Sequence, residues 1–194
     1  MADASSGRLL YVVGPSGSGK DSLLRHARQR LEAQSDILFA HRYITRPVEL
    51  QGENHIALSV AEFEARRSAN LFAMHWDSHG LRYGIGREIN FWLQEGRDIV
   101  VNGSREYLPE ALCRYPELFL VQITASAETL STRLLARGRE SAEQVARRIE
   151  RAGQFTPAHE PSAIIENNGT LTEAGDRLVA LLCATRKKAW RTCK

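Results

Sequence analysis

The chain has few cysteines and no long hydrophobic run. Its 194 residues include three cysteines, and their spacing fits neither a metal site nor a redox pair. Disulfides and zinc are therefore not indicated, and we expect a reduced, cytoplasmic protein. The first eight residues lack the basic-then-apolar pattern of a secretory signal, and no apolar run approaches the roughly 18 residues that cross a bilayer. We therefore expect no membrane partner.

The sequence also lacks a strong net charge, internal repeats and low-complexity segments. Its formal net charge is +3, from 26 basic and 23 acidic residues. No aromatic residues are paired with a basic strand groove, so nucleic acid is not an expected partner. The hydrophobic content of 43% is typical of a globular protein. The length suits one domain of roughly 100–200 residues, as a monomer or a homodimer.

Arginine, by contrast, is concentrated in one segment, at Arg133, Arg137, Arg139, Arg147, Arg148 and Arg151. Planar guanidinium groups bind phosphate oxygens well, so the cluster favours a polyphosphate ligand, although part of it fits an ordinary solvated helix face. Gly138–Ser141 interrupts two helical patterns, Ala127–Arg137 and Ala142–Gln154. We interpret this hairpin as a lid.

Short apolar runs alternate with helical patterns along the chain. Leu9–Val13 precedes a helix predicted over Lys20–Gln34, and further runs occupy Asp98–Asn102, Leu118–Thr124 and Ala163–Glu166. Such runs are typical of strands buried on both faces of a parallel sheet. The sequence therefore predicts a three-layer, doubly wound α/β fold.

Between Thr45 and Arg97 the pattern changes to short alternating pieces, with a helix predicted over Ala61–Ser68 and a turn over Trp76–Gly80. This indicates an inserted subdomain. The predicted single domain has a core of residues 8–44, 96–132 and 155–185, an acceptor-binding insertion of residues 45–95, and a lid of residues 133–154. We interpret Trp76 as a packing aromatic residue rather than a base-stacking one.

A phosphate-binding loop follows the first predicted strand and leads into the first helix. It consists of Gly14, Pro15, Ser16, Gly17, Ser18, Gly19, Lys20 and Asp21, and it matches G-x-x-x-x-G-K except at the last position. Glycines let backbone N–H groups converge on phosphate oxygens, and the lysine reaches the β- and γ-phosphates. ATP is the expected donor, held by this loop.

Asp21 stands where phosphate loops normally place a serine or threonine hydroxyl on Mg²⁺. A carboxylate is a hard oxygen ligand suited to Mg²⁺, whereas the alternative is an acidic residue that complements the helix dipole. We predict Asp21 as the magnesium ligand, directly or through water, with Ser22 as the fallback.

The chain resembles the guanylate kinase family over nearly all of its length. The resemblance rests on the phosphate loop and on Thr45-Arg46-Pro47, Gly52-Glu53, Ala61-Glu62-Phe63, Leu71-Phe72, Tyr83-Gly84, Leu134-x-x-Arg137-Gly138 and Asn167. It implies that Asn167 helps to hold ATP. It also implies that Arg46, His55 and Tyr83 hold the acceptor phosphate, although His55 replaces a tyrosine. At the two positions where guanylate kinases bind guanine with acidic residues, this chain has Met74 and Asn102. GMP is therefore not the expected acceptor.

Asn102-Gly103-Ser104-Arg105 offers neutral donors and a guanidinium suited to a sugar phosphate without a base. With Gly-Lys-Asp-Ser in the phosphate loop, it resembles the ribose 1,5-bisphosphate phosphokinases of phosphonate catabolism, which implies 5-phosphoribosyl 1-diphosphate as product. Asn102, Ser104 and Arg105 are thus candidate substrate residues.

Phosphoryl transfer to a phosphate oxygen requires alignment and charge neutralisation rather than a general base. Lys20, Arg133, Arg137 and Arg148 are the candidate catalytic residues, and the resemblance favours Arg137 and Arg148 among the arginines. The alternatives are a guanylate or other nucleoside-monophosphate kinase, and a non-catalytic guanylate-kinase-like binding module. The phosphate loop keeps every glycine and Lys20, which speaks against the binding module.

Overall fold

A computed structural model describes residues 6–47, 55–136, 142–153 and 160–190. The first strand, β1 (Leu9–Val13), is buried along its whole length. It belongs to a sheet with β2 (Ile37–Phe39), β7 (Asp98–Asn102), β8 (Phe119–Thr124) and β9 (Ala163–Glu166). The strand order in this five-stranded parallel sheet is β2-β7-β1-β8-β9.

A second sheet has four strands, β3 (Arg42–Ile44), β4 (His55–Ala57), β5 (Phe72–Ser78) and β6 (Leu81–Gly86), in the order β4-β3-β6-β5. β3 runs parallel to β4 and antiparallel to β6. β5 and β6 form a hairpin whose register runs as far as Ser78 opposite Leu81. His79 and Gly80 both have positive φ, as a two-residue hairpin turn of type I′ requires.

The described helices are α1 (Lys20–Arg30), α2 (Val60–Ser68), α3 (Glu88–Gln94), α4 (Leu108–Arg114), α5 (Ala127–Ala136), α6 (Ala142–Gly153) and α7 (Leu171–Trp190). Ser59 caps α2, because its side chain accepts a hydrogen bond of 3.1 Å from the N–H of Glu62. Helices α1 and α7 pack together, and His26 Nε2 lies 2.8 Å from Asp176 Oδ1. No helix within the described ranges is long and apolar enough to cross a membrane.

One face of the second sheet is covered by α2. Leu58, Phe63 and Phe72 form a buried cluster against which Tyr43 packs. The rings of Phe63 and Phe72 stack with centroids 4.7 Å apart. Burial of these rings anchors the second sheet through apolar contact, and its other face carries Trp76 and Tyr83.

The sequence predicted the strands β1, β7, β8 and β9 and the helices α1, α2, α5 and α6. The predicted turn over Trp76–Gly80 is wrong in extent, because β5 continues to Ser78 and only His79 and Gly80 form the turn. Antiparallel pairing with β6 overrides the turn preference of Asp77 and Ser78. Helix α1 ends at Arg30 rather than at the predicted Gln34.

The chain divides by its internal contacts into two compact units. Residues 1–11 and 34–119 form the first unit, and residues 12–33 and 120–194 form the second. The phosphate loop lies in the second unit, and the candidate acceptor residues lie in the first. The boundaries that we predicted for core, insertion and lid stay a prediction.

Candidate active site

The phosphate loop connects β1 to α1. Gly17 and Gly19 adopt positive φ angles of 87° and 82°, a conformation in which successive backbone N–H groups form an anion-binding concavity. The N–H of Ser18 donates to the carbonyl of Pro15 over 3.1 Å and closes a turn. Gly19 is the N-cap residue of α1, so the loop meets the positive end of the helix dipole. This backbone fits a bound polyphosphate.

The loop backbone is anchored by a side chain from the end of β9. Asn167 Nδ2 donates to the carbonyl of Ser18 over 2.7 Å, in a buried position. Arg133 Nη1 donates to the same carbonyl over 3.4 Å. The buried atoms Ser18 Oγ and Asn167 Oδ1 have no hydrogen-bond partner among the described residues. The structure therefore places Asn167 and Arg133 against the predicted nucleotide loop.

Lys20 and Asp21 begin α1. The Lys20 side chain is 13% exposed and that of Asp21 is 57% exposed, with Nζ and Oδ1 3.5 Å apart. Ser22 is half-buried. No group of three or more histidine, cysteine or acidic residues within the described ranges could hold a metal ion. A Mg²⁺ ion at Asp21 would therefore take other ligands from phosphate oxygens and water, which suits this ion.

Two predicted arginines cannot be assigned a position at the site. Arg137 lies outside the described residues, and Arg148 lies in α6 with its side chain outside the described part of the chain. Their catalytic role stays a prediction.

The candidate acceptor residues Arg46 and His55 are in contact through the backbone that follows β3. The N–H of Thr45 donates to the carbonyl of Arg82 over 3.1 Å, and Thr45 Oγ1 accepts from the Arg82 N–H over 2.9 Å. These bonds fix the bend that follows β3. His55 is buried, and its Nε2 lies 3.1 Å from the carbonyl oxygen of Arg46. Since a carbonyl only accepts, Nε2 carries the proton and His55 holds the Arg46 backbone.

Tyr83 lies within a group of stacked aromatic rings. The rings of Trp76 and Tyr83 have centroids 5.6 Å apart and planes within 3° of parallel. Trp76 also stacks on Tyr107, with centroids 5.4 Å apart. Burial raises the pKa of Tyr107, although the charge of Arg114 and the nearby backbone of His75 oppose the shift. The Tyr107 hydroxyl therefore stays protonated at neutral pH and can serve as a donor.

The segment after β7 carries the other candidate acceptor residues. Asn102 is buried at the end of the strand. The Tyr11 hydroxyl donates to the Ser104 carbonyl over 3.0 Å and accepts from the Ser104 N–H over 2.9 Å. Burial raises the pKa of Tyr11 and keeps the hydroxyl protonated. Burial also lowers the pKa of Arg105, whose half-buried guanidinium is partly removed from water.

Three residues near the candidate acceptor residues were not predicted. Arg42 stacks over the Tyr83 ring with its guanidinium carbon 5.3 Å from the centroid, and nothing in the sequence indicates this contact, because the register of β3 and β6 comes from the fold. Tyr11 places a hydroxyl group in an otherwise apolar buried strand, and this pattern is visible in the sequence. Tyr107 has no comparable signal, because only the fold brings it to Trp76.

Comparison with known proteins gives a consistent result. Ribose 1,5-bisphosphate phosphokinase PhnN of Thiobacillus denitrificans is 59% identical over 178 residues, covering 92% of this chain and 94% of that protein. The proteins of the same name from Psychromonas ingrahamii and Chromobacterium violaceum are 52% and 50% identical, covering 92% and 96% of this chain and 91% and 99% of those proteins. No family model matches the chain.

The chain belongs to the ribose 1,5-bisphosphate phosphokinase family. It is therefore a kinase, and the expectation of a phosphotransferase is confirmed. The nucleoside-monophosphate kinase and the binding module are not favoured.

A solved structure confirms the fold of this ribose 1,5-bisphosphate phosphokinase family member. Guanylate kinase from Anaplasma phagocytophilum aligns with a TM-score of 0.64 at 19% identity, covering 93% of this chain and 87% of that chain. The predicted α/β fold of P-loop kinases with a parallel sheet is thus correct. At this identity the likeness concerns the fold alone.

Proposed function

We propose that the chain transfers the γ-phosphate of ATP to the anomeric phosphate of ribose 1,5-bisphosphate. The products are ADP and 5-phosphoribosyl 1-diphosphate, and the proposed setting is cytoplasmic phosphonate catabolism. The observation that carries the proposal is the 59% identity to a named ribose 1,5-bisphosphate phosphokinase over 92% of the chain. The phosphate loop and the acceptor residues supply the chemistry that this reaction needs.

The donor side of the reaction rests on the loop between β1 and α1. The N–H groups around Gly17 and Gly19 hold phosphate oxygens, and Lys20 neutralises charge on the transferring group. Arg133, beside Ser18, adds a guanidinium next to the loop, and Arg137 and Arg148 complete the proposed clamp. Bound Mg²⁺ supplies positive charge to the phosphate oxygens of ATP, and Asp21 is the residue that would hold it.

The acceptor side requires binding and orientation without a general base. An oxygen of the anomeric phosphate forms the new bond to the γ-phosphorus, while the bond from that phosphorus to the β,γ-bridging oxygen breaks and ADP leaves with the electron pair. Arg46 and Tyr83 bind the acceptor phosphate, and His55 fixes the backbone of Arg46. Asn102, Ser104 and Arg105 bind the remainder of the sugar phosphate.

The buried position of Met74 supports an acceptor without a base. Met74 is fully buried in β5, and Asn102 is 8% exposed. Neither side chain offers a carboxylate to the N1–H and amino group of guanine, and unmatched polar groups are strongly disfavoured. These two residues therefore leave the polar edge of guanine unmatched, and GMP is a poor acceptor.

An acceptor panel tests the proposal. Purified protein with Mg·ATP is offered ribose 1,5-bisphosphate, ribose 5-phosphate, GMP and AMP, and products are followed by phosphorus NMR. We expect kcat/KM for ribose 1,5-bisphosphate to exceed that for GMP on the order of a thousandfold. Lys20→Ala should lower kcat at least about a hundredfold and serves as the control for contaminating kinases. Efficient turnover of GMP without turnover of ribose 1,5-bisphosphate would refute the proposal.

A further inference from the structure

One face of the second sheet brings together side chains from all four strands. Arg42 in β3 is the cross-strand partner of His55 in β4. Tyr83 in β6 is the partner of Ile44 in β3 and of Trp76 in β5. Directly opposed residues point to the same face, and alternate residues of a strand share it. Arg42 therefore lies on the face that carries the acceptor residues His55 and Tyr83.

The guanidinium of Arg42 is held against the Tyr83 ring. Its central carbon lies 5.3 Å from the ring centroid, and the residue is half-buried. Since β6 lies between β3 and β5, Arg42 and Trp76 approach Tyr83 from opposite neighbouring strands. A stacked guanidinium uses its planar face for the ring, whereas its N–H donors point outward in the plane, where phosphate oxygens are bound.

We propose that Arg42 binds a phosphate group of the acceptor. The inference rests on the proposed function and adds a residue to it. Each phosphate of a sugar bisphosphate carries about −1.5 to −2 charges at neutral pH, so the ligand needs several cationic partners. Arg46 and Arg105 are two of them, and Arg42 adds a third next to His55 and Tyr83. The stacking on Tyr83 fixes the direction of its donors before the ligand arrives.

The same sheet offers a matched control on its opposite face. The guanidinium carbon of Arg66 lies 5.2 Å from the Tyr43 ring centroid. Arg66 Nη2 donates to Glu62 Oε1 over 2.7 Å within α2. Arg66→Gln therefore removes an arginine–tyrosine stack of the same kind without touching the acceptor face. A purely structural role for such a stack would give Arg42→Gln and Arg66→Gln the same consequences.

Steady-state kinetics and calorimetry test the inference. We expect Arg42→Gln to raise the KM for ribose 1,5-bisphosphate about 10- to 100-fold with the KM for Mg·ATP unchanged, as for loss of a charge-assisted hydrogen bond. Arg42→Lys should recover part of the affinity because the charge returns. Arg66→Gln should change neither KM. An unchanged acceptor KM in Arg42→Gln, or an equal rise in Arg66→Gln, would overturn the inference.

Binding measurements separate this inference from the proposed function and identify the phosphate. Ribose 5-phosphate and ribose 1-phosphate each carry one of the two groups, and calorimetry compares their affinities for wild type and Arg42→Gln. Loss of affinity for either compound supports the inference and names the phosphate that Arg42 binds. If wild type binds and phosphorylates ribose 1,5-bisphosphate but Arg42→Gln binds all three compounds equally well, only the inference fails. If wild type binds none of them, the proposed function and the inference both fail.

Discussion

Gly19 occupies a position where both the backbone and the neighbouring side chain exclude a Cβ atom. Its φ of 82° is in the left-handed region, and an added Cβ would overlap Asn167 Nδ2. That nitrogen holds the Ser18 carbonyl, so displacing it releases the anchor of the phosphate loop. We predict that Gly19→Ala lowers kcat/KM for Mg·ATP at least about tenfold, because one charge-positioning contact is worth ~1.5 kcal/mol or more.

Gly80 is the matched control for that prediction. Its φ is 75°, but nothing lies within 4 Å of an added Cβ. Gly80→Ala should cost about 1–2 kcal/mol of folding stability through backbone strain alone, with unchanged kinetics. Thermal melting and steady-state kinetics of the pair separate strain from loss of the anchor. Equal kinetic effects in both variants would contradict the role assigned to Asn167.

Substitution of Asp21 tests whether its carboxylate, at the start of α1, binds Mg²⁺ or only complements the helix dipole. It is exposed and lies beside Lys20. We predict that Asp21→Ala shifts the Mg²⁺ activation curve to higher concentration, whereas Asp21→Ser has a smaller shift because a hydroxyl oxygen can replace the carboxylate. The measurement is turnover at fixed ATP across a Mg²⁺ titration. An unchanged titration in Asp21→Ala would leave only the dipole role.

Residue types alone predicted the phosphate loop. They did not predict which side chains lie near the candidate acceptor residues. The place of Gly17 and Gly19 in the loop could be predicted from the sequence, because few other residue types adopt their φ angles. Met74 shows what cannot be predicted, since the sequence does not reveal that it is fully buried. A Glu at position 74 would place a carboxylate in the core, which is costly. Arg42 depends in the same way on a strand register that only the fold provides.

At the scale of elements, β1 leads into the phosphate loop and also supports the segment from Asn102 to Arg105, which carries candidate acceptor residues. The Tyr11 hydroxyl makes two hydrogen bonds to the backbone of Ser104. We predict that Tyr11→Phe raises the KM for the acceptor about tenfold and leaves the KM for Mg·ATP unchanged, because both backbone groups of Ser104 lose their partner. Initial-rate kinetics with each substrate varied in turn measures both constants.

Tyr115 gives the control for the loss of a hydroxyl. Its OH donates to Asn90 Oδ1 over 2.6 Å, at the end of α4. Tyr115→Phe should lower the melting temperature with no effect on either KM. If Tyr11→Phe likewise lowered only the melting temperature, its hydroxyl would have a structural role alone.

Four strands of the parallel sheet, β1, β7, β8 and β9, were predictable, and the short strand β3 of the second sheet was not. β1, β7 and β9 match the predicted runs, since strands buried in a parallel sheet are continuous apolar segments. β3 has three residues and pairs with partners in both directions, so its composition carries little signal. The hairpin of β5 and β6 is set by cross-strand pairs such as Trp76 and Tyr83, which outweigh local turn preference.

At the scale of the whole molecule, the candidate residues for the two substrates lie in different compact units. The unit of residues 12–33 and 120–194 contains the phosphate loop, Arg133 and Asn167. The unit of residues 1–11 and 34–119 contains Arg46, His55, Tyr83 and the segment from Asn102 to Arg105. Sequence order alone would not group β1's Tyr11 with Ser104, because they are 93 residues apart. Each ligand should therefore protect the backbone amides of its own unit from hydrogen exchange, which tests the site assignments.

Hydrogen exchange measures that protection. We predict that a non-hydrolysable ATP analogue with Mg²⁺ slows amide exchange at residues 16–20, whose N–H groups are the proposed phosphate ligands. Ribose 1,5-bisphosphate should slow exchange at residues 103–107 instead. At ligand concentrations near 100 times Kd, exchange that requires the ligand-free state slows by about a hundredfold. Lys20→Ala should lose only the protection by the ATP analogue, and Arg105→Ala only that by the sugar bisphosphate. Protection of residues 103–107 by the ATP analogue, with residues 16–20 unaffected, would contradict both assignments.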